Sequence, residues 1–113
     1  DMEQIEAAQG VGAQQVELCT GEYAELTLSS RAAHGEGELK AAAEVERIRT
    51  AAVHAKSLGL MVAAGHGLTY RNVGSLAAIP DITEFNIGHN IISRAVFIGL
   101  NQAVREMIGA IQS

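Results

Sequence analysis

The chain has 113 residues, of which 48% are apolar and 19% are charged, and its formal net charge is −5. This composition is typical of one globular domain without an internal boundary and argues against a disordered chain. The acidic balance also argues against a nucleic-acid partner, because such binding depends on clustered Lys and Arg.

The compartment is predicted from the single cysteine and the apolar segments. Cys19 is alone and cannot form an intramolecular disulfide, which favours a reducing compartment, the cytoplasm. No apolar run approaches the roughly 18 residues that span a bilayer, so we expect no membrane insertion. The chain opens directly into helix formers, and we expect it to begin inside a larger protein.

The first predicted elements are a helix, a strand and a loop. Residues 2–9 are helix formers and are followed by glycines suited to a cap and a turn. Residues 15–20 form a strand with a carboxylate, Glu17, at its middle on the face opposite to the apolar side chains. Residues 21–37 are polar and weakly periodic, which predicts a long loop carrying at most a short helix.

A strong helix is predicted over residues 38–58. Its apolar or small residues recur at spacings of three and four, the pattern of a helix that packs one face on a core. The side chains of Glu44, Arg47 and Lys56 are expected to face water. The packed positions are Leu39, Ala42, Val45 or Glu46, Ile48, Ala52, Ala55 and Leu58.

The remaining chain alternates between strand and helix. Residues 60–64 are continuously apolar, as in a strand that is buried on both faces of a parallel sheet. A short helix over 70–77 leads to a third strand at 84–87. Residues 90–111 are predicted as one amphipathic helix. Its apolar side holds Ile92, Val96, Gly99, Ala103, Met107 and Ile111.

This alternation predicts an α/β fold of parallel strands joined by right-handed crossovers. Only three strands are present. A parallel sheet of three strands leaves exposed edges and an uncovered face, which few free-standing domains tolerate. We therefore expect further structure to complete the fold.

The third strand ends at a candidate phosphate site. In parallel α/β folds ligands bind at the carboxyl ends of the strands. Glycine lets backbone amides approach an anion, and the following helix N-terminus favours negative charge. Gly88 and His89 could therefore hold a phosphate, although Gly88 could equally serve only to make a turn.

Two other residues are candidates for acid–base chemistry. His66 lies between two glycines after the second strand, where an imidazole could exchange a proton at neutral pH or simply bond to the backbone. Glu17 lies mid-strand, where a buried carboxylate needs donors or a cation. It could contact a ligand or be held by another strand. His34 and His54 are expected to be solvated.

Several common chemistries lack their sequence signatures. The chain has no cysteine pair for zinc, no His-Glu-x-x-His, no Gly-x-Ser-x-Gly, no Walker loop and no Gly-x-Gly-x-x-Gly. The Gly-His-Gly run at 65–67 is by itself a weak motif.

The combination of strand ends is specific. Residues 64–73 read AGHGLTYRNV and are followed by Ile79-Pro80 and by EFNIGH at 84–89, while VELCTG at 16–21 precedes Tyr23. The segments at 64–73 and 84–89 resemble the seventh and eighth strand regions of the pyridoxine 5'-phosphate synthases, the PdxJ family. The segment at 16–21 resembles the sixth strand region of that family. The resemblance covers nearly the whole chain.

The resemblance implies a (β/α)8 TIM barrel, of which this chain would hold about helix 5 to helix 8. It implies condensation of 3-amino-2-oxopropyl phosphate with 1-deoxy-D-xylulose 5-phosphate to pyridoxine 5'-phosphate, phosphate and water. It also implies a homo-oligomer, an octamer, with no metal or organic cofactor. The first four strands would supply other catalytic groups, so the 113 residues alone are expected to be inactive.

The resemblance also implies a role for each matching residue. His66 would be the general acid, and Gly67 would bind substrate beside it. Glu17 would stabilise the transition state. Gly88 and His89 would bind the phosphorylated aminoketone.

Two departures from the family pattern stand out. Cys19 occupies a position where relatives carry His, and the extra length in residues 25–37 is expected to alter surface or subunit contacts. One alternative is a half-barrel that pairs with a copy of itself and acts as a structural or phosphate-binding module. Another is a different phosphate-binding barrel, such as an isomerase.

Overall fold

The computed structural model describes residues 2–28 and 35–112. Within these ranges helices and strands alternate along the chain. The elements are α1 (Met2–Gly10), β1 (Gln15–Cys19), α2 (Gly21–Leu28), α3 (Gly35–Ser57), β2 (Met61–Gly65), α4 (Val73–Ala77), β3 (Glu84–Asn86), α5 (His89–Ile98) and α6 (Leu100–Gln112).

The three strands form one parallel sheet in the order β1-β2-β3. In the register of this sheet Cys19 pairs with Gly65, and Gly65 pairs with Asn86. The predicted α/β class with three parallel strands is therefore confirmed. All three strands end at nearly the same level, which we call the carboxyl-end edge of the sheet.

One face of the sheet packs against helices and forms the core. Val62 and Ala64 of β2 point to this face and are 1% and 0% exposed. They meet Ile48, Ala52 and Ala55 of α3, whose spacing of four and three places them on one side of the helix. Burial of a side chain such as Ile48 stabilises the fold by about 1.5–3 kcal/mol.

The other face of the sheet is open and polar. Ala63 lies on it between Glu17 and Glu84, its partners in the register, and these long side chains leave it only 1% exposed. The prediction that the second strand is buried on both faces is thus confirmed for Ala63, which neighbouring polar side chains cover. It is wrong for Met61, which lies on the same face and is 59% exposed. The side chains exposed on the open face include Gln15, Glu17, Cys19, Glu84 and Asn86.

The predicted loop over residues 21–37 contains the short helix that the prediction allowed, and α3 begins three residues earlier than predicted, at Gly35. Gly21–Leu28 is a helix whose inner side carries Tyr23 and Ala24, which are 2% and 5% exposed. Two buried residues among polar ones give little periodicity, so tertiary packing decides the structure here. Residues 29–34, with His34, lie outside the described residues.

The predicted last helix is in fact two helices. Gly99 has φ +85° and ψ 154°, which takes it out of the helical region, and α6 restarts when the Ala103 amide donates to the Gly99 carbonyl. Only the second part of the predicted apolar stripe is buried, through Ala103 and Met107. Ile92 and Val96 are 59% and 78% exposed.

Three expectations for α3 are also corrected. Leu39 is 74% exposed although it was assigned to the packed side. Glu44 is buried instead of solvated, and its carboxylate accepts hydrogen bonds from Arg47, 2.6 Å at the shortest. His54 is half-buried, and its Nε2 lies 3.3 Å from Oε1 of Glu6 on α1.

The short helix α4 begins later than predicted, at Val73 instead of residue 70. Residues 70–72 form a turn in which the Thr69 hydroxyl accepts hydrogen bonds from the amides of Arg71 and Asn72. None of the helices in residues 2–28 and 35–112 has the length and apolarity that a bilayer crossing requires.

Candidate functional site

The candidate residues leave the sheet at its carboxyl-end edge. Because Cys19, Gly65 and Asn86 pair across the sheet, the residues that follow them emerge side by side. This is the edge at which loops of parallel α/β folds bind ligands. The structure therefore brings the β1, β2 and β3 ends, and the predicted site residues on them, to one edge.

Glu17 is exposed on the open face and has one partner in the described chain. Its Oε1 accepts a hydrogen bond of 3.1 Å from Nδ2 of Asn86. The same oxygen lies over Gly65, where an added Cβ would collide with it. The expectation of a buried carboxylate is wrong, because no element among the described residues covers this face. Of the two alternatives for Glu17, the structure contains the partner from another strand, Asn86, and a ligand contact stays a prediction.

His66 has an unusual backbone conformation. Its φ is +97°, a region that residues other than glycine occupy uncommonly. The imidazole is exposed and lies against Gly21, the first residue of α2. A Cβ added at Gly21 would be 2.9 Å from Cδ2 of the His66 ring, and it would be 3.7 Å from Sγ of Cys19. The loop therefore directs this ring to the carboxyl-end edge of β1.

The backbone of His66 is held by Thr20. The buried Thr20 hydroxyl donates to the His66 carbonyl at 2.8 Å, and the Thr20 amide donates to the Gly65 carbonyl at 3.0 Å. This bond is made by the main-chain carbonyl of His66 and leaves the ring at the surface, so it is not the backbone-bonded imidazole of the alternative.

Gly67 is required by the fold at its position. Its φ is +77°, and a Cβ there would lie 2.5 Å from Cβ of Ala24 in α2. The Gly67 carbonyl accepts a hydrogen bond of 3.3 Å from Nδ2 of Asn72. Close packing therefore explains this glycine whether or not it contacts a ligand.

Gly88 and His89 differ from Gly67 because no packing contact in the described residues accounts for the residue type at these two positions. Gly88 precedes α5 with φ −127°, and a Cβ there would meet no atom within 4 Å. His89 is exposed at the first position of α5. No steric or conformational demand in the described residues requires glycine at position 88.

Sequence reasoning missed the cluster that supports the His66 loop, residues 66–72. Asn72 is 3% exposed, and its side chain accepts a hydrogen bond from the Thr69 amide at 2.7 Å and donates to Oγ1 of Thr27 at 3.2 Å. Tyr23 donates to the Asn72 carbonyl. Burial raises the pKa of Tyr23, and a hydrogen bond with Ser75 opposes that shift in part.

A second missed residue is Asn86, the partner of Glu17. The two-residue period of β3 places Asn86 on the same face as Glu84, and this alternation was the available signal. For Asn72 the only signal was its place in the run at 64–73. Neither residue could be identified before the register and the packing were known.

A cleft of 340 Å³ runs along the free edge of β1. Ile5 of α1 and Ile48 and Ala51 of α3 line one side of it, and Glu17 and Cys19 line another. β1 pairs with β2 on its other side, so its backbone groups on the cleft side have no strand partner among the described residues. Among those residues there is also no group of three His, Cys, Asp or Glu placed to hold a metal ion.

Comparison with known proteins gives one consistent family. A model described as "Pyridoxal phosphate biosynthesis protein PdxJ" matches residues 1–113. A pyridoxine 5'-phosphate synthase of Chlorobium phaeobacteroides is 51% identical over 108 residues, which are 96% of this chain and 42% of that protein. One of Synechococcus sp. is 54% identical over 107 residues, 95% of this chain and 41% of that protein.

The chain therefore spans about two fifths of the length of these relatives. The same holds for a pyridoxine 5'-phosphate synthase of Sulfurihydrogenibium sp., which is 51% identical over 95% of this chain and 40% of its own length. With the family model matched from end to end, the chain belongs to the PdxJ family of pyridoxal phosphate biosynthesis proteins.

Proposed function

We propose that this chain forms the C-terminal half of a (β/α)8 barrel with pyridoxine 5'-phosphate synthase activity. The observation that carries the proposal is the convergence of Glu17, His66 and Gly88 on one edge of a parallel sheet in a chain of this family. The reaction is the condensation of 3-amino-2-oxopropyl phosphate with 1-deoxy-D-xylulose 5-phosphate. Its products are pyridoxine 5'-phosphate, phosphate and water.

The barrel itself is supported by the surfaces that the sheet leaves open. Both edge strands lack an outer partner in the described chain. Beside β1, α1 and α3 line the cleft with both apolar side chains, Ile5 and Ile48, and polar ones, Gln4 and Arg47, and a further strand would cover them. The open face carries hydrogen-bonded pairs, Gln15 with Glu84 and Glu17 with Asn86. A closed barrel would place these pairs inside, where polar groups need such partners.

The roles of the site residues follow from their positions. His66 donates a proton as general acid from a ring that is exposed at the carboxyl-end edge. Glu17 stabilises positive charge that develops in the transition state, since its carboxylate faces the open side next to Gly65.

The phosphate of the aminoketone is bound at the start of α5. No contact among the described residues needs a glycine at Gly88, and the space beside its α carbon would let a ligand approach the backbone there. His89 lies beside it, and the α5 N-terminus favours an anion. Gly67 contacts substrate through its main chain, because its α carbon has no room for a side chain.

The test measures pyridoxine 5'-phosphate formation by the natural protein in its full length. His66→Asn should lower kcat by about 100-fold or more, the usual contribution of a positioned general acid. His54→Asn is the matched control, because His54 contacts Glu6 between α1 and α3 and should leave kcat near the wild-type value. A wild-type protein that forms no product, or a fully active His66→Asn, would contradict the proposal.

The 113 residues alone should form no product, because groups from the other half of the barrel are needed to position the substrates. A second candidate function, a half-barrel that pairs with its own copy, is favoured by the same open edges. Light scattering on the 113-residue chain separates the two. A compact dimer with a cooperative unfolding transition supports self-pairing, and an aggregating or molten chain supports the incomplete enzyme. In the intact enzyme we propose a homo-oligomer.

A further inference from the structure

Three consecutive carbonyl groups, at the last residue of β2 and the two residues after it, each accept a hydrogen bond. The donors are residues to which the proposed function gives no catalytic role. The Gly65 and His66 carbonyls accept from the amide and the hydroxyl of Thr20, at 3.0 and 2.8 Å. The Gly67 carbonyl accepts from the side chain of Asn72 at 3.3 Å. The His66 loop is thus fixed along its backbone while the His66 ring stays exposed.

The conformation of His66 needs this support. A positive φ at a residue with a side chain is sparsely populated and persists only where surrounding contacts impose it. Without the bond from the Thr20 hydroxyl, rotation about φ of His66 would swing its carbonyl and its Cβ together. The ring would then leave its place beside Gly21 and Cys19.

Thr20 is suited to this task by its own position. It is 0% exposed, so no water competes for its hydroxyl, and the His66 carbonyl is the acceptor. Its backbone amide extends the β1–β2 ladder by one bond to Gly65. The hydroxyl therefore belongs to a residue that is bonded to the end of the β1–β2 ladder, and it links that ladder to the loop that follows β2.

We propose that Thr20 is a positioning residue for His66: its buried hydroxyl holds the His66 carbonyl and so directs the imidazole to the carboxyl-end edge of the sheet. The catalytic meaning of this proposal rests on the proposed function, in which His66 is the general acid. The positioning itself can be measured without turnover.

The experiment compares Thr20→Val, Thr20→Ser and Thr83→Val in the natural full-length protein. Thr20→Val keeps the shape and removes the hydroxyl, and Thr20→Ser keeps the hydroxyl. Thr83→Val is the matched control, since the Thr83 hydroxyl also donates to a β2 carbonyl, that of Val62, but at the opposite end of the strand. Circular dichroism and Tm check that each variant is folded, and Thr20→Ala replaces Thr20→Val if the latter is not native.

The first readout is the imidazole signal of His66 by NMR with labelled histidine, assigned by its loss in His66→Asn. Thr20→Val should shift this signal, whereas Thr20→Ser and Thr83→Val should leave it near wild type. The second readout is kinetic. Thr20→Val should lower kcat by about 10- to 100-fold with KM little changed, as for a misplaced catalytic group, and should displace the basic limb of the pH profile.

An unmoved His66 signal in Thr20→Val, or the same shift in Thr83→Val, would overturn the positioning role. Wild-type kcat in Thr20→Val together with a shifted signal would overturn the catalytic meaning of the proposal, because the orientation would then not matter for proton transfer. If the wild type forms no product, the proposed function fails, and the NMR comparison still decides whether Thr20 orients His66.

Discussion

The loop that contains His66 and the loop that precedes His89 differ in how firmly contacts within the chain hold them. The His66 loop is bonded to α2 and to the end of β1, and it contains two positive φ angles, at His66 and Gly67. The Gly88 loop, residues 87–88, has an ordinary φ at Gly88 and space around its α carbon. The first is shaped by the chain itself, and the second leaves room for a ligand or a further part of the protein.

This difference teaches that a glycine beside a candidate site can have two origins. At Gly67 the backbone and the neighbouring Ala24 demand it, and no ligand is needed to explain it. At Gly88 no such demand exists in the described chain. Measuring how much an alanine at each position lowers the free energy of unfolding distinguishes the two kinds of glycine.

The largest expected effect is that of Gly67→Ala. An L-residue at φ +77° and a methyl group against Ala24 should together lower the free energy of unfolding by about 2–4 kcal/mol. Gly88→Ala should cost less than about 1 kcal/mol, because an added Cβ would meet no atom of the described residues within 4 Å and replacing glycine before a helix removes no side-chain bond. Urea denaturation of the natural full-length protein measures both. Equal losses would mean that the Gly88 loop is as constrained as the His66 loop.

A smaller effect is expected for Asn72→Ala. The substitution removes bonds to the Thr69 amide, to the Gly67 carbonyl and to Thr27 inside the protein, and we expect a loss of about 2–3 kcal/mol. Asn90→Ala is the comparison from α5, next to the Gly88 loop, since it removes a single bond of 3.2 Å that the Asn90 side chain accepts from the Tyr70 amide of the His66 loop. Its loss should be at or below about 1 kcal/mol in the same denaturation assay. A loss as large as that of Asn72→Ala would remove the contrast between the loops.

The smallest effect is expected for Tyr23→Phe, which removes the hydroxyl that bonds to the Asn72 carbonyl, and it should cost about 1 kcal/mol at neutral pH. Burial raises the pKa of Tyr23, so on raising the pH the unfolded chain loses this proton first, from its ordinary value of about 10. Stability should therefore fall as the pH rises above that value towards the higher pKa of the folded state. Denaturation at several alkaline pH values should show a steeper fall for wild type than for Tyr23→Phe, and parallel curves would contradict the assignment.

Strong local patterns made much of the fold predictable from the sequence. The core side of α3 can be predicted because Ile48, Ala52 and Ala55 recur at helical spacing. Strand β2 can be predicted because its apolar run is bounded by Gly59 and Gly65. The strand ends could be predicted to converge because parallel strands share a direction. These features depend on neighbours in the chain.

The rest depended on contacts between distant residues. Helix α2 is held by the burial of Tyr23 and Ala24 against the His66 loop, more than forty positions away in the chain. The break at Gly99 interrupts an apolar stripe that by itself predicts one helix. Thr20 and Asn72 are polar residues with no periodicity, and their roles appear only with the hydrogen bonds that they make.

The contact between Gly65 and the Glu17 carboxylate constrains how this sheet can change by mutation. A methyl group at position 65 would occupy the space of Oε1 of Glu17 and would press on the Asn86 carbonyl at 3.1 Å. Oε1 is the far end of an exposed side chain, so Glu17 can turn away, whereas the Asn86 carbonyl belongs to the backbone of β3. The cost of a side chain at 65 should therefore depend on which residue stands at 17, and the effects of substitutions at the two positions should not add.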